Sequence, residues 1–201
     1  MLIPLSELQE KFGIKPITCM HIGASHGEER EAYRQAGVEY VLWVEAIPEI
    51  YDKLIANISD YRGHAASCAC VHEIAGLELD FNVSSNDGQS SSIFEFGTHS
   101  QSHPDVTFTK KIKVITERAD NLLYLAPDMI NLDIQGAELL ALKSMSWLND
   151  VKYIYTEVNE KELYKGCALL PEIDSYLEQF GFKRVLTRMT DCFWGDAFYM
   201  K

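Results

Sequence analysis

Short apolar runs alternate along this chain with segments whose apolar residues recur at helical spacing. That alternation restricts the fold to a mostly parallel α/β sheet with helices packed on both faces. The runs predict strands over 17–22, 40–45, 64–71, 129–134 and 151–157. Between the first two, Glu28, Glu29 and Glu31 fall in the opening turns of a helix, where acids complement its dipole, and Gly37 is placed to end it. Pro48 opens the next helix, with Ile50, Leu54 and Ile58 on one face. Leu139, Leu142 and Met145 mark a helix after Asp133; Leu170, Ile173, Leu177 and Phe180 mark another that stops at Gly181. Residues 182–189 and 195–200 then flank a polar turn and predict an antiparallel C-terminal hairpin on the sheet.

The stretch from Leu77 to Thr116 departs from this alternation. Two strand-like runs, 77–83 and 111–116, flank Ser84-Ser-Asn-Asp-Gly-Gln-Ser-Ser-Ser92. Such a segment is either a flexible excursion or a lid, and its turn-forming composition favours the excursion.

With 201 residues and nearly half of them apolar, the chain can bury one sizeable core. A single domain over 1–201 is expected, with 1–16 as an N-terminal helical extension and 84–109 as the possible lid. The formal charge of −12, with dispersed Lys and Arg, argues against a nucleic-acid partner. Five scattered cysteines form neither a disulfide framework nor paired zinc elements. Together with an N-terminus that lacks a signal-peptide pattern and the absence of any membrane-length apolar run, they predict a cytoplasmic protein.

The chemistry-bearing signal begins at the first strand, which breaks into a loop bounded by Gly23 and Gly27. The next strand ends on Glu45, an acid able to accept both hydrogens of a ribose diol. Taken alone, the loop reads equally well as an ordinary strand-to-helix turn. Glu45, Asp133 and Glu157 all fall at or near predicted strand C-termini, and in an open α/β sheet those ends face one crevice. The competing reading is that Asp133 and Glu157 cap loops or pair with cations. The third glycine of a dinucleotide fingerprint is missing: Ala24, Ser25 and His26 separate the two present. A cofactor with a ribose but no pyrophosphate suits this loop better, and S-adenosylmethionine is such a molecule.

Met20-His-Ile-Gly-Ala-Ser-His-Gly27, Trp43-Val-Glu-Ala-Ile-Pro48, Asn131-Leu-Asp-Ile-Gln-Gly-Ala-Glu-Leu-Leu-Ala-Leu-Lys143 and Tyr155-Thr-Glu-Val158 resemble, in order, the FkbM family of S-adenosylmethionine-dependent methyltransferases. Ser90–Ile93 and Val114–Asp120 fit the same pattern. The resemblance implies a class I, Rossmann-like methyltransferase fold. It places the loop of His21, Gly23, Ala24, Ser25 and Gly27 beside the methionine part of the cofactor, Glu45 and Ala46 at the ribose, and the segment around Cys70, within 68–72, at the adenine. His21 and Ser25 stand where the family usually carries an acid and an Asn, and His21 in place of the acid predicts weaker contacts to the amino group of the cofactor.

The resemblance further implies O-methylation of a hydroxyl on a sugar, glycan or secondary-metabolite acceptor. Asp133, also near the cofactor, is the first choice of base, with Glu157 orienting the acceptor and Gln135 and Glu138 beginning the following helix. An NAD(P)-dependent oxidoreductase on the same architecture and a non-catalytic cofactor-binding module are the alternatives. No metal ligand is assigned: a divalent metal on Asp133 and Glu157 is a minority alternative, since two carboxylates are a thin ligand set, and Pro104 disfavours the helix that His99 and His103 would need. Cys68 and Cys70 would share one strand face as small buried groups, and His26 could lie near the transferred methyl. Phe94, Phe96, Tyr164 and Trp194 are candidate stacking surfaces for the acceptor or plain packing.

Overall fold

The computed structural model describes all residues from Met1 to Lys201. Helix α1 (Leu5–Phe12) precedes β1 (Thr18–Ile22), α2 (Arg30–Ala36), β2 (Tyr40–Glu45), α3 (Pro48–Ile58) and β3 (His64–Cys68). Next come β4 (Cys70–Val71), β5 (Glu78–Ser84), α4 (His99–Ser102), β6 (Phe108–Glu117) and α5 (Ala119–Leu122). The chain finishes with β7 (Met129–Leu132), α6 (Glu138–Lys143), β8 (Tyr153–Asn159), α7 (Leu170–Glu178), β9 (Lys183–Met189) and β10 (Trp194–Met200).

Seven strands form the main sheet in the order β3-β2-β1-β7-β8-β10-β9. The first five are parallel, and β10 alone runs antiparallel to both of its neighbours. Strands buried on both faces must be apolar throughout, and all four residues of β7 are buried. Met20, Ile22, Ile130, Leu132, Leu142 and Leu177 pack on one side of the sheet. Leu8, Tyr33, Val41, Trp43, Leu54 and Phe198 pack on the other. Winding reverses between β1 and β7, so the crevice for a ligand opens beyond the carboxyl ends of those two strands. No helix is long and apolar enough to cross a membrane, and all five cysteines are free.

Three local expectations are corrected. The run 64–71 is two strands, not one: Ala69 donates to the Glu45 carbonyl, after which β4 leaves the main sheet to pair with β6 in a three-stranded sheet, β4-β6-β5. Cys68 is therefore exposed while Cys70 is buried, and they share no strand face. The helix expected directly after Asp133 starts only at Glu138, because Gln135 and Gly136 take left-handed φ values of 57° and 103°. The stretch 84–92 is a folded turn, with Ser90, Ser91 and Ser92 buried. Ser84 Oγ donates to Asn86 Oδ1 (2.6 Å) and accepts from the Ser90 amide (3.1 Å).

Candidate active site

The first wall of the crevice is the turn after β1. The amides of Gly23 and Ala24 both donate to the Val44 carbonyl, at 2.9 and 3.0 Å. Gly23 has φ +84°, and a Cβ there would lie 1.7 Å from the Asp133 carbonyl oxygen. Glu45, the last residue of β2 and 7% exposed, fixes the turn from the other side. Its Oε2 accepts from the Ser25 amide at 3.0 Å and its Oε1 from the Ile47 amide at 2.8 Å. Burial raises its carboxyl above the usual range and these backbone donors oppose the rise.

The second wall is the turn after β7. The Asp133 amide donates to the Ile22 carbonyl (3.0 Å), locking the two turns together. Glu138 Oε1 accepts from the amides of Ile134 (3.0 Å) and Gly136 (3.1 Å), so a buried carboxylate holds the left-handed turn closed. Gln135 Nε2 then donates to Asp133 Oδ1 (2.6 Å) and Glu157 Oε2 (2.9 Å), while its Oε1 accepts from the Tyr164 hydroxyl (2.5 Å). Asp133, Glu138 and Glu157 approach one another within 4.8 Å. Glu157 is 3% exposed and its Oε1 has no partner. Asp133 is the open member of the three, with its surface on the cavity.

Crowding carboxyls in a partly dry space favours their neutral forms. Burial pushes Asp133 up to about 6, against the hydrogen bond from Gln135. Burial and then the Asp133 charge push Glu138 up to about 7. Glu157 rises well above the carboxylate range, through burial first and then the charges of Asp133 and Glu138. The folded state thus holds protons that unfolded carboxyls release near about pH 4.3. The stabilisation these groups contribute is complete below that pH and is lost as pH rises through about 7. Urea midpoints are accordingly expected to fall from about pH 5 to about pH 8, and to fall less in Glu157→Gln. Equal pH slopes in both proteins would contradict this.

His21, Gly23, Ala24, Ser25, Glu45, Ala46, Cys70, Asp133 and Glu157 border one cavity of about 580 Å³. This convergence is the arrangement the strand-end acids predicted. Gly27 does not join it, because the position of its missing Cβ points at Leu54 and Ile58 of α3. Nor does His26, which turns toward Glu28 and Asp87 at 3.6 Å each. Cys68 and His72 lie outside as well, leaving Ala69, Cys70 and Val71 on the wall. Of the four candidate stacking aromatics only Trp194 reaches the cavity; Phe94, Phe96 and Tyr164 pack around Leu163 and Cys167.

Glu29 and Asn131 border the cavity although neither carried a functional reading in the sequence, and His99 and His103, weighed there only as a metal pair, border it too. Asn131, an amide inside an apolar strand, was the one visible signal; its Nδ2 donates to the Tyr33 hydroxyl (2.7 Å), which stands 3.1 Å from His21 Nδ1. The His99 and His103 rings lie 4.9 Å apart. No Lys or Arg borders the cavity.

Over residues 21–184 the sequence matches the methyltransferase FkbM domain. The chain belongs to the FkbM methyltransferase family. No curated protein matches it in sequence. Its structure is similar to ribosomal protein L11 methylase from Lactobacillus delbrueckii subsp. bulgaricus, at 13% identity and a TM-score of 0.58, covering 99% of this chain and 76% of that one. It is also similar to a SAM-dependent methyltransferase from Aquifex aeolicus, at 12% identity and a TM-score of 0.51, covering 99% and 90%. At such identities the likeness is one of fold. This FkbM-family protein is an S-adenosylmethionine-dependent methyltransferase on a class I, Rossmann-like framework. The cavity suits that cofactor: it has the volume of a small-molecule site, and it offers an acid at the end of β2 and a glycine turn whose close approach leaves no room for a Cβ.

Proposed function

We propose that the protein is a single-domain O-methyltransferase acting on a hydroxyl of a sugar, glycan or secondary-metabolite acceptor. The observation that carries this reading is Asp133: a carboxyl open to the cavity, held in place through Gln135, with its proton affinity raised to about 6. Bound S-adenosylmethionine supplies an electrophilic methyl group. Glu45 keeps lone pairs free beyond its two backbone donors and binds the ribose hydroxyls, the turn at Gly23–Ser25 lines the methionine arm, and Ala46 and Cys70 border the nucleoside. An aliphatic hydroxyl is a poor nucleophile, so a positioned base that takes its proton adds about 10²–10⁴-fold. Asp133 fills that role. Glu157, buried and with its proton affinity raised, orients the acceptor. Holding acceptor and donor in line supplies about 7–11 kcal/mol more.

The absence of Lys and Arg from the walls favours an uncharged acceptor over a phosphorylated one. Methyl transfer from labelled cofactor to a panel of neutral glycans and hydroxylated small molecules, with the product bond located by mass spectrometry, tests the assignment; a methylated nitrogen or carbon would overturn it. A base must be ionised to accept a proton, so kcat is expected to fall on the acid side with an apparent pKa of about 6. Glu45→Ala is expected to weaken cofactor binding by about tenfold to a hundredfold, measured by titration calorimetry.

A further inference from the structure

Glu29 reads in the sequence as an ordinary acid at a helix start, yet it borders the same cavity as His21 and Gly23. Its side chain is 20% exposed and meets no Lys or Arg. Its ionic neighbour is an α-ammonium, that of Met1, 3.5 Å from Oε1.

His21, the polar residue that β1 contributes to the cavity, cannot neutralise a cation. It is 3% exposed, faces the Tyr33 hydroxyl, and is driven down to about 4 by burial, which leaves the imidazole uncharged near neutral pH. Glu28 also borders the cavity, but it is 52% exposed and its Oε1 lies 3.4 Å from Ser25 Oγ and 3.6 Å from His26 Nδ1.

The cofactor carries a fixed α-ammonium on its methionine arm. With Glu45 at the ribose, as proposed above, Glu29 is a further carboxylate on the same cavity, placed after the Gly23 turn and just before α2. We propose that Glu29 is the counter-ion of the cofactor's α-ammonium, a binding role displaced from β1 to the start of α2. This rests on the cofactor orientation given under Proposed function.

Two ligands separate the arm from the nucleoside: S-adenosylhomocysteine, which has the ammonium, and 5′-methylthioadenosine, which lacks it. Glu29→Gln is expected to weaken the first by about tenfold to a hundredfold in calorimetry while leaving the second within about twofold. The unchanged second ligand also reports an intact fold. Equal losses for both ligands, no loss for S-adenosylhomocysteine, or the selective loss appearing in Glu28→Gln instead would each overturn the proposal. Glu45→Ala weakens both ligands if the orientation is right. If it does so while Glu29→Gln is silent, only the counter-ion role falls; if the unsubstituted protein binds neither ligand, the orientation falls and takes the role with it.

Discussion

Replacing Asp133 by Asn is expected to lower kcat by about 10²–10⁴-fold while cofactor affinity stays within about twofold. The substitution keeps shape and most hydrogen bonds: an Asn Oδ1 still accepts from Gln135 Nε2, and the backbone link to Ile22 is untouched. What disappears is the ability to take a proton. Single-turnover methyl transfer at saturating acceptor, alongside calorimetric titration of S-adenosylmethionine, separates the two effects. Near-normal turnover would remove Asp133 as the base. A matching loss of affinity would recast it as a cofactor ligand.

Gly23→Ala is expected to abolish cofactor binding and to lower the melting temperature by about 5–15 °C. Two costs combine there. A left-handed φ of +84° penalises any Cβ by about 1–2 kcal/mol, and a methyl 1.7 Å from the Asp133 carbonyl oxygen forces the two turns apart. Gly37→Ala isolates the first cost, since Gly37 has φ +82° with nothing within 4 Å of its would-be Cβ. That variant should melt only a few degrees lower, about 2–6 °C, and bind cofactor normally. If the two glycines behave alike in thermal melts, backbone strain alone governs the turn and the close approach carries no weight.

The parallel core was readable in the sequence because β1, β2, β7 and β8 are sandwiched between helices and must be apolar throughout, a demand that leaves a clear trace. The gathering of Glu45, Asp133 and Glu157 was readable for the same reason, since parallel strands deliver their carboxyl ends to one edge. What was not readable depends on partners far along the chain. The run 64–71 is continuous in composition, but its second half exchanges β2 for β6 as neighbour, and no local signal announces that exchange. Gln135 looked helical because nothing nearby in sequence forbids it. Its left-handed conformation is held by the buried Glu138 carboxylate and by Ser92, whose Oγ donates to the Gln135 carbonyl at 2.8 Å. Glu29 matched a generic preference for acids at helix starts, which hid its place on the cavity wall.

A cavity bordered by Glu28, Glu29, Glu45, Asp133 and Glu157, with no lysine or arginine, treats donor and spent product unequally. S-adenosylmethionine carries one net positive charge, and surrendering its methyl erases the sulfonium. The demethylated molecule leaves the reaction electrically neutral and loses the long-range attraction that drew its precursor in. Turnover in such an enzyme is helped by an exit that opens as a consequence of the chemistry itself, and added salt should narrow the difference in hold between the two forms.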